Sequence, residues 1–168
     1  MRAMLISINP PYTKMIFAGE KDLEWRHRSL PTGKYYCYET KHGGGCGAVI
    51  GEFIIWRTKQ YGRGQTVPPQ YIERGRVSVE FLKRYTERNP RLSANFITDP
   101  VLYDAPKDLS GFCKPCPHEH NCFSCDYFFP GIQDYDRCEP PSCGWWESDE
   151  SAISRPPQSW CYVEELKL

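Results

Sequence analysis

"MLISINPPYTKMIFAGEKDLEWR", Met4–Arg26, breaks into three pieces by hydrophobic period and turn chemistry. The short apolar run around "AMLISI" stops at Asn9-Pro10-Pro11 and reads as a strand followed by a helix entry, with proline tolerated at an early helical position. Tyr12, Met15 and Ile16 then share one helical face, and Gly19 marks the C-terminal stop. In "KDLEWRHR" the alternation returns to a period of two: Leu23 and Trp25 take one face of a strand, while Asp22, Glu24 and Arg26 take the other. Strict alternation sets Lys21 and Glu24 on opposite faces, so they converge only if Lys21 precedes the regular strand or a bulge intervenes.

Beyond this unit, "GKYYCYET" follows a Pro31-Thr32-Gly33 turn and reads as the antiparallel neighbour of the Leu23–Arg26 strand. After the glycine-rich "KHGGGCG", the run "AVIGEFIIW" predicts a longer strand, with Gly51 as a bulge or a point of close approach. A polar connector, "RTKQYGRGQTVPPQYIERGR", leads to a helix opening at Ser78 whose Val79, Leu82 and Tyr85 are spaced to face a core. "SANFITDPVLYD" reads as a strand interrupted by proline, and "PQSWCYVEEL" as a closing strand. Cys37 and Cys161, inside these strands, read as small buried hydrophobes.

The 168 residues, 40% hydrophobic and 25% charged, have the size and mix of one globular domain. The opening apolar run is too brief for a signal peptide, and no stretch approaches the ~20 apolar residues that span a bilayer. The expectation is therefore a cytoplasmic chain without membrane contact, in which clustered cysteines hold metal more often than they form disulfides. Formal charge is zero overall but uneven. Residues 57–91 carry nine lysines and arginines against three glutamates, and residues 104–168 carry five basic against twelve acidic residues. Such a field can draw a phosphate backbone to one side of a molecule and repel it from another, or it can belong to plain solvated surface.

Four cysteines and two histidines fall between Cys113 and Cys125, inside a segment of little periodicity spanning residues 111–154. Cys113-x2-Cys116 and Cys122-x2-Cys125 have the spacing of zinc knuckles, and Cys138 and Cys143 follow. Two such pairs usually stand ~15–20 residues apart. Only five residues separate them here, so four ligands at one site would demand a cramped reversal. A set of Cys116, Cys122, Cys125 and Cys143, with Cys138 or Cys113 as alternates, closes a larger loop and ties the insertion together. Four thiolates leave no open coordination position, so the zinc would be structural. His118 or His120 in place of one thiolate, an iron–sulfur cluster on four cysteines, and disulfides are the other arrangements these residues allow.

The order of these elements, and several residues within them, resemble the ASCH domain family of the PUA-like superfamily, a type often carried by bacteriophages and mobile elements. Gly19, Lys21, Glu24 and Arg26 are similar to that family's Gly, Lys, acid and Arg signature. Gly51 and Phe53 in "GAVIGEF", and Ala94, Ile97, Tyr103, Pro106 and Leu109 further on, resemble its later strands. The resemblance implies an α+β fold: a PUA-like/ASCH mixed β-barrel with flanking helices, here one domain over residues 1–168 with the zinc-stapled insertion at 111–154.

It also implies a cleft beside the first helix that binds RNA or a modified nucleoside or nucleotide. Some relatives instead hydrolyse N4-acetylcytidine, and another acts as a ribonuclease. In the amidohydrolases a lysine follows the glycine and a threonine three residues later is the nucleophile. Lys21 stands at that lysine, and Glu24 takes the threonine's place. Chemically, Glu24 beside Lys21 could serve as general base on water, while Lys21 and Arg26 hold a phosphate or steady an oxyanion. Ser159 offers a small hydroxyl to the same ligand and Trp160 a stacking platform. A protein partner meeting the acidic insertion is the remaining reading.

Overall fold

The computed structural model of the chain describes residues 3–62, 64–117, 145 and 148–165. The chain order is β1 (Ala3–Ile8), α1 (Tyr12–Phe17), β2 (Leu23–Arg26), β3 (Gly33–Glu39), β4 (Ala48–Tyr61), α2 (Pro69–Arg74), α3 (Val79–Thr86), β5 (Leu92–Lys107), a 3-10 turn at Leu109–Gly111, β6 (Phe112–Cys113) and β7 (Trp160–Glu165). The strands form one mixed sheet in the order β2-β5-β4-β3-β1-β7-β6. Among the described residues only β1 and β3 run parallel, with α1 and β2 in the connection between them. The sheet curls enough that Arg26, at the end of edge strand β2, donates to the Ser7 carbonyl of β1 at 2.8 Å.

β1 is a continuous apolar run because both of its faces are covered. Met4, Ile6 and Ile8 pack with Ile16 of α1 and with Tyr35, Cys37, Phe53, Ile55 and Ile97. On the opposite face Leu5 meets Tyr36, Tyr38, Val49, Phe112, Ile153 and Val163. A third cluster, built on Leu23, Trp25, Tyr61, Leu82, Leu92 and Phe96, lies under α2 and α3. Cys37 is a fully buried core residue, as its strand position implies.

The expected pairing of β2 with β3 is overturned. β3 lies between β1 and β4, and β2 pairs with β5 at the far edge. The reason is the composition of each strand. Tyr35 and Cys37 complete the core that β1 begins, whereas Leu23 and Trp25 are needed beneath the α2–α3 pair. β4 also runs five residues beyond Trp56, where a connector was expected. Its end from Arg57 to Tyr61 pairs with Leu92–Phe96 of β5, and the sheet face it presents to solvent takes polar side chains.

Gly51 sits at an irregularity in the pairing of β4 with both neighbours. A Cβ there would lie 2.4 Å from the Val101 carbonyl oxygen and 2.7 Å from the Phe17 ring, so close approach excludes any side chain. The proline interruption of β5 falls at a second irregularity, where Asp99 takes a positive φ of 51°. No helix among the described residues is long and apolar enough to cross a membrane.

Candidate functional site

Helix α1 ends at Phe17 with Ala18 as its cap, and the amides of Glu20 and Lys21 both return to the Met15 carbonyl. That tight exit leaves Lys21 two residues ahead of β2, outside the strand's alternation, so it turns back towards Glu24. Of the two ways these residues could converge, this is the one realised. Lys21 is 2% exposed. Its Nζ donates to the Leu23 carbonyl at 2.7 Å and to the Gly75 carbonyl at 2.6 Å, and lies 3.3 Å from Glu24 Oε2. Three acceptors account for all three hydrogens of an ammonium group. The Tyr12 ring lies 5.1 Å beneath the charge.

Glu24 carries the chain of charge onward. Its Oε1 is 3.1 Å from Arg26 Nε, within ion-pair range but out of line for a hydrogen bond. Arg26 spends a terminal nitrogen on the Ser7 carbonyl. Burial pushes the Lys21 ammonium below the ordinary lysine value, and the Glu24 carboxylate recovers part of that shift. With Lys21 charged, the three side chains carry one net positive charge in a place largely closed to water.

The surrounding polar groups are held as tightly. Asn95, fully buried and opposite Glu24 in the β2–β5 register, donates to the Glu24 and Ser93 carbonyls and accepts from the Leu30 amide. Gly75, whose carbonyl receives Lys21, presses against Trp25; a Cβ would meet the indole Nε1 at 2.3 Å. Arg74 forks onto Asp22, and Arg76 donates to the Glu20 carbonyl, so the end of α2 is clamped to the segment that bears Lys21. Sequence reasoning missed Ser7, Asn95, Gly75 and Tyr12. Asn95 alone leaves a visible signal, as a lone amide among the small and apolar residues of Leu92–Ile97.

Lys21, Glu24 and Arg26 are thus brought together. Ser159 reaches them through Ser7, whose amide donates to the Ser159 carbonyl at 3.1 Å and whose hydroxyl donates to the Pro157 carbonyl. The Ser159 side chain is exposed. Trp160 stands opposite Ile6, half-buried against the core cluster that also receives Tyr12, with its ring edge-on to Tyr162 at 5.3 Å.

Of the expected zinc ligands, Cys122, Cys125, Cys138 and Cys143 lie outside the described residues, as do His118 and His120. Cys116 is buried. Cys113 sits in β6 with its thiol directed at the Glu164 carbonyl, and burial pushes that thiol up to about 12. Among the described residues no three His, Cys, Asp or Glu side chains gather as a metal site.

No protein-family model and no curated protein matches the chain. Solved structures do. A serine-to-alanine variant of an ASCH protein from Zymomonas mobilis superposes with a TM-score of 0.62 at 19% identity, over 96% of this chain and 88% of that one. The ASCH structure from the same organism gives 0.58 at 20% identity, over 96% and 87%. A tyrosine-to-phenylalanine variant matches over 65% of this chain and 77% of its own, with a TM-score of 0.50 at 22% identity. The first two of these matches extend over 96% of this chain, and the chain therefore has the fold of those ASCH structures.

Proposed function

We propose that this chain binds RNA or a modified nucleotide in the cleft built on Lys21, Glu24 and Arg26. One observation carries the reading: a buried line of charge running from Lys21 through Glu24 to Arg26, with one cation in excess. A site of that kind favours an anionic or carbonyl-rich ligand, and the ASCH fold supports the same class of ligand. Trp160 and the Ser159 hydroxyl would take the base from the neighbouring strand. The test is RNA binding measured across a salt series. Affinity should fall steeply with salt and drop by roughly tenfold or more in Arg26→Ala. Binding indifferent to both would remove the proposal.

The buried pairing of Lys21 with Glu24 favours a second reading, a small amidohydrolase acting on N4-acylated cytidine. Glu24 would act as general base on water, and the Lys21 ammonium, turning from one of its two carbonyl partners, would steady the developing oxyanion. Cytidine released from N4-acetylcytidine, and lost in Lys21→Ala, would establish it. If neither RNA binding nor turnover is found, contact with a protein partner through the acidic 111–154 insertion is the reading left. That insertion, within a single domain over residues 1–168, would be held by one structural zinc on Cys116, Cys122, Cys125 and Cys143. Zinc content by mass spectrometry should fall from about one per chain towards none in Cys116→Ser and in Cys125→Ser. Full retention in either would reject this ligand set.

A further inference from the structure

β4 carries an extra residue opposite β5: Ile55 pairs with Ile97 and Arg57 with Phe96, leaving Trp56 between them. Such a bulge reverses the alternation of everything that follows. Unbulged, the strand would turn Arg57 and Lys59 away from the face that Trp56 occupies. With the bulge, Trp56, Arg57 and Lys59 all lie on the Phe96 side of the sheet. The Trp56 ring packs at 5.8 Å from Phe96 and remains 52% exposed. The Arg57 guanidinium stands 5.7 Å from the Phe96 ring centroid, and that of Arg74, from α2, 5.2 Å. Lys59 Nζ lies between the rings of Tyr61 and Tyr71, at 5.3 and 5.9 Å.

Cations and aromatic rings therefore interleave on one face. Among the described residues no carboxylate lies within ion-pair distance of Arg57 or Lys59, whereas Arg74 is held by Asp22. Unpaired cations beside an exposed indole are what a single-stranded nucleic acid requires, phosphates meeting the charges while a base stacks on the ring. A duplex would offer the phosphates but no free base.

We infer that this bulged face is a binding surface for single-stranded nucleic acid, with Trp56 as the stacking platform and Arg57 and Lys59 as phosphate contacts. It lies on the other side of the β2–β5 ribbon from Glu24 and adjoins the Lys21 site where Arg74 holds Asp22 and Gly75 holds Lys21. A strand crossing α2 would thus reach the cleft, so the inference rests on the nucleic-acid reading above and extends it to a second contact.

The experiment is fluorescence anisotropy with labelled strands of about 12 nucleotides, RNA and DNA of one sequence, beside the corresponding duplexes. Trp56→Ala should weaken single-strand binding about tenfold and leave duplex binding unchanged, and Trp56→Phe should restore most of the loss. Arg57→Gln and Lys59→Gln should each reduce the salt slope by about 0.7. Thermal unfolding of each variant confirms an intact fold, and the RNA and DNA arms identify which strand is held. Single-strand binding unaltered by Trp56→Ala overturns the inference, even if Arg26→Ala weakens binding and the cleft reading survives. Loss in Trp56→Ala with none in Arg26→Ala upholds this surface and removes the cleft.

Discussion

Lys21 gives its three hydrogens to Leu23, Gly75 and Glu24, so its removal is felt in several places at once. Lys21→Met would leave two carbonyl oxygens without a donor, at about 1–3 kcal/mol each where they are shut off from water. We expect that loss in denaturant unfolding, with a pH dependence of known sign. Because the folded-state value is lowered, the unfolded chain binds the proton more readily between that value and 10.5. The lysine's contribution therefore becomes more favourable as pH rises through this window. The stability gap between wild type and Lys21→Met should widen with pH up to 10.5 and then level.

Glu39 gives the opposite case. Burial raises its pKa, but hydrogen bonds from Thr13 and the Cys46 amide outweigh that and leave it lowered. Its stabilisation is present above 4.5 and is lost as pH falls. Thr13→Val, which keeps the shape and removes the hydroxyl, should cost about 1.5–3 kcal/mol near neutral pH, with the deficit shrinking in acid.

At the scale of elements, the sequence was most readable where one local pattern had one meaning. β1, α1 and the two faces of β2 follow directly from period and turn residues between Met4 and Arg26. Pairing was less readable, because the alternation of β3 suits either neighbour. What placed it beside β1 was the shared demand of Tyr35 and Cys37 for the first core cluster. The far half of β4 was hidden for a related reason. Its polar residues after Trp56 look like a connector until the bulge is known, and nothing in "IIWRTKQY" announces a bulge. Gly51 was legible, since a glycine inside an apolar strand gives up packing area and β propensity that only a bulge or a crowded backbone makes worthwhile. Gly51→Ala should destabilise the fold by about 1–3 kcal/mol or more, because the atom it would strike at 2.4 Å is the Val101 backbone oxygen. Chemical denaturation would show this, while far-ultraviolet circular dichroism of the folded variant stays unchanged.

For the molecule as a whole, the charged trio Lys21, Glu24 and Arg26 could be named from one short stretch, while its supports could not. Ser7, Asn95 and Gly75 are far from Lys21 in sequence, and only the curl of the sheet and the clamp of α2 bring them to it. The same curl seats β1 between β3 and β7, so that Ala3 pairs with Val163 and Ile6 with Trp160. This arrangement predicts an order of events on the ribosome. While the chain is being made, β1 can take β3 as a neighbour, but its other edge stays open until residues 160–165 emerge. An unpaired apolar edge invites association with other chains. Nascent chains arrested before Trp160 should be digested rapidly by a non-specific protease and should engage chaperones, whereas chains released after Glu165 should resist digestion. Equal resistance in both would mean that the last strand adds little to a fold already complete.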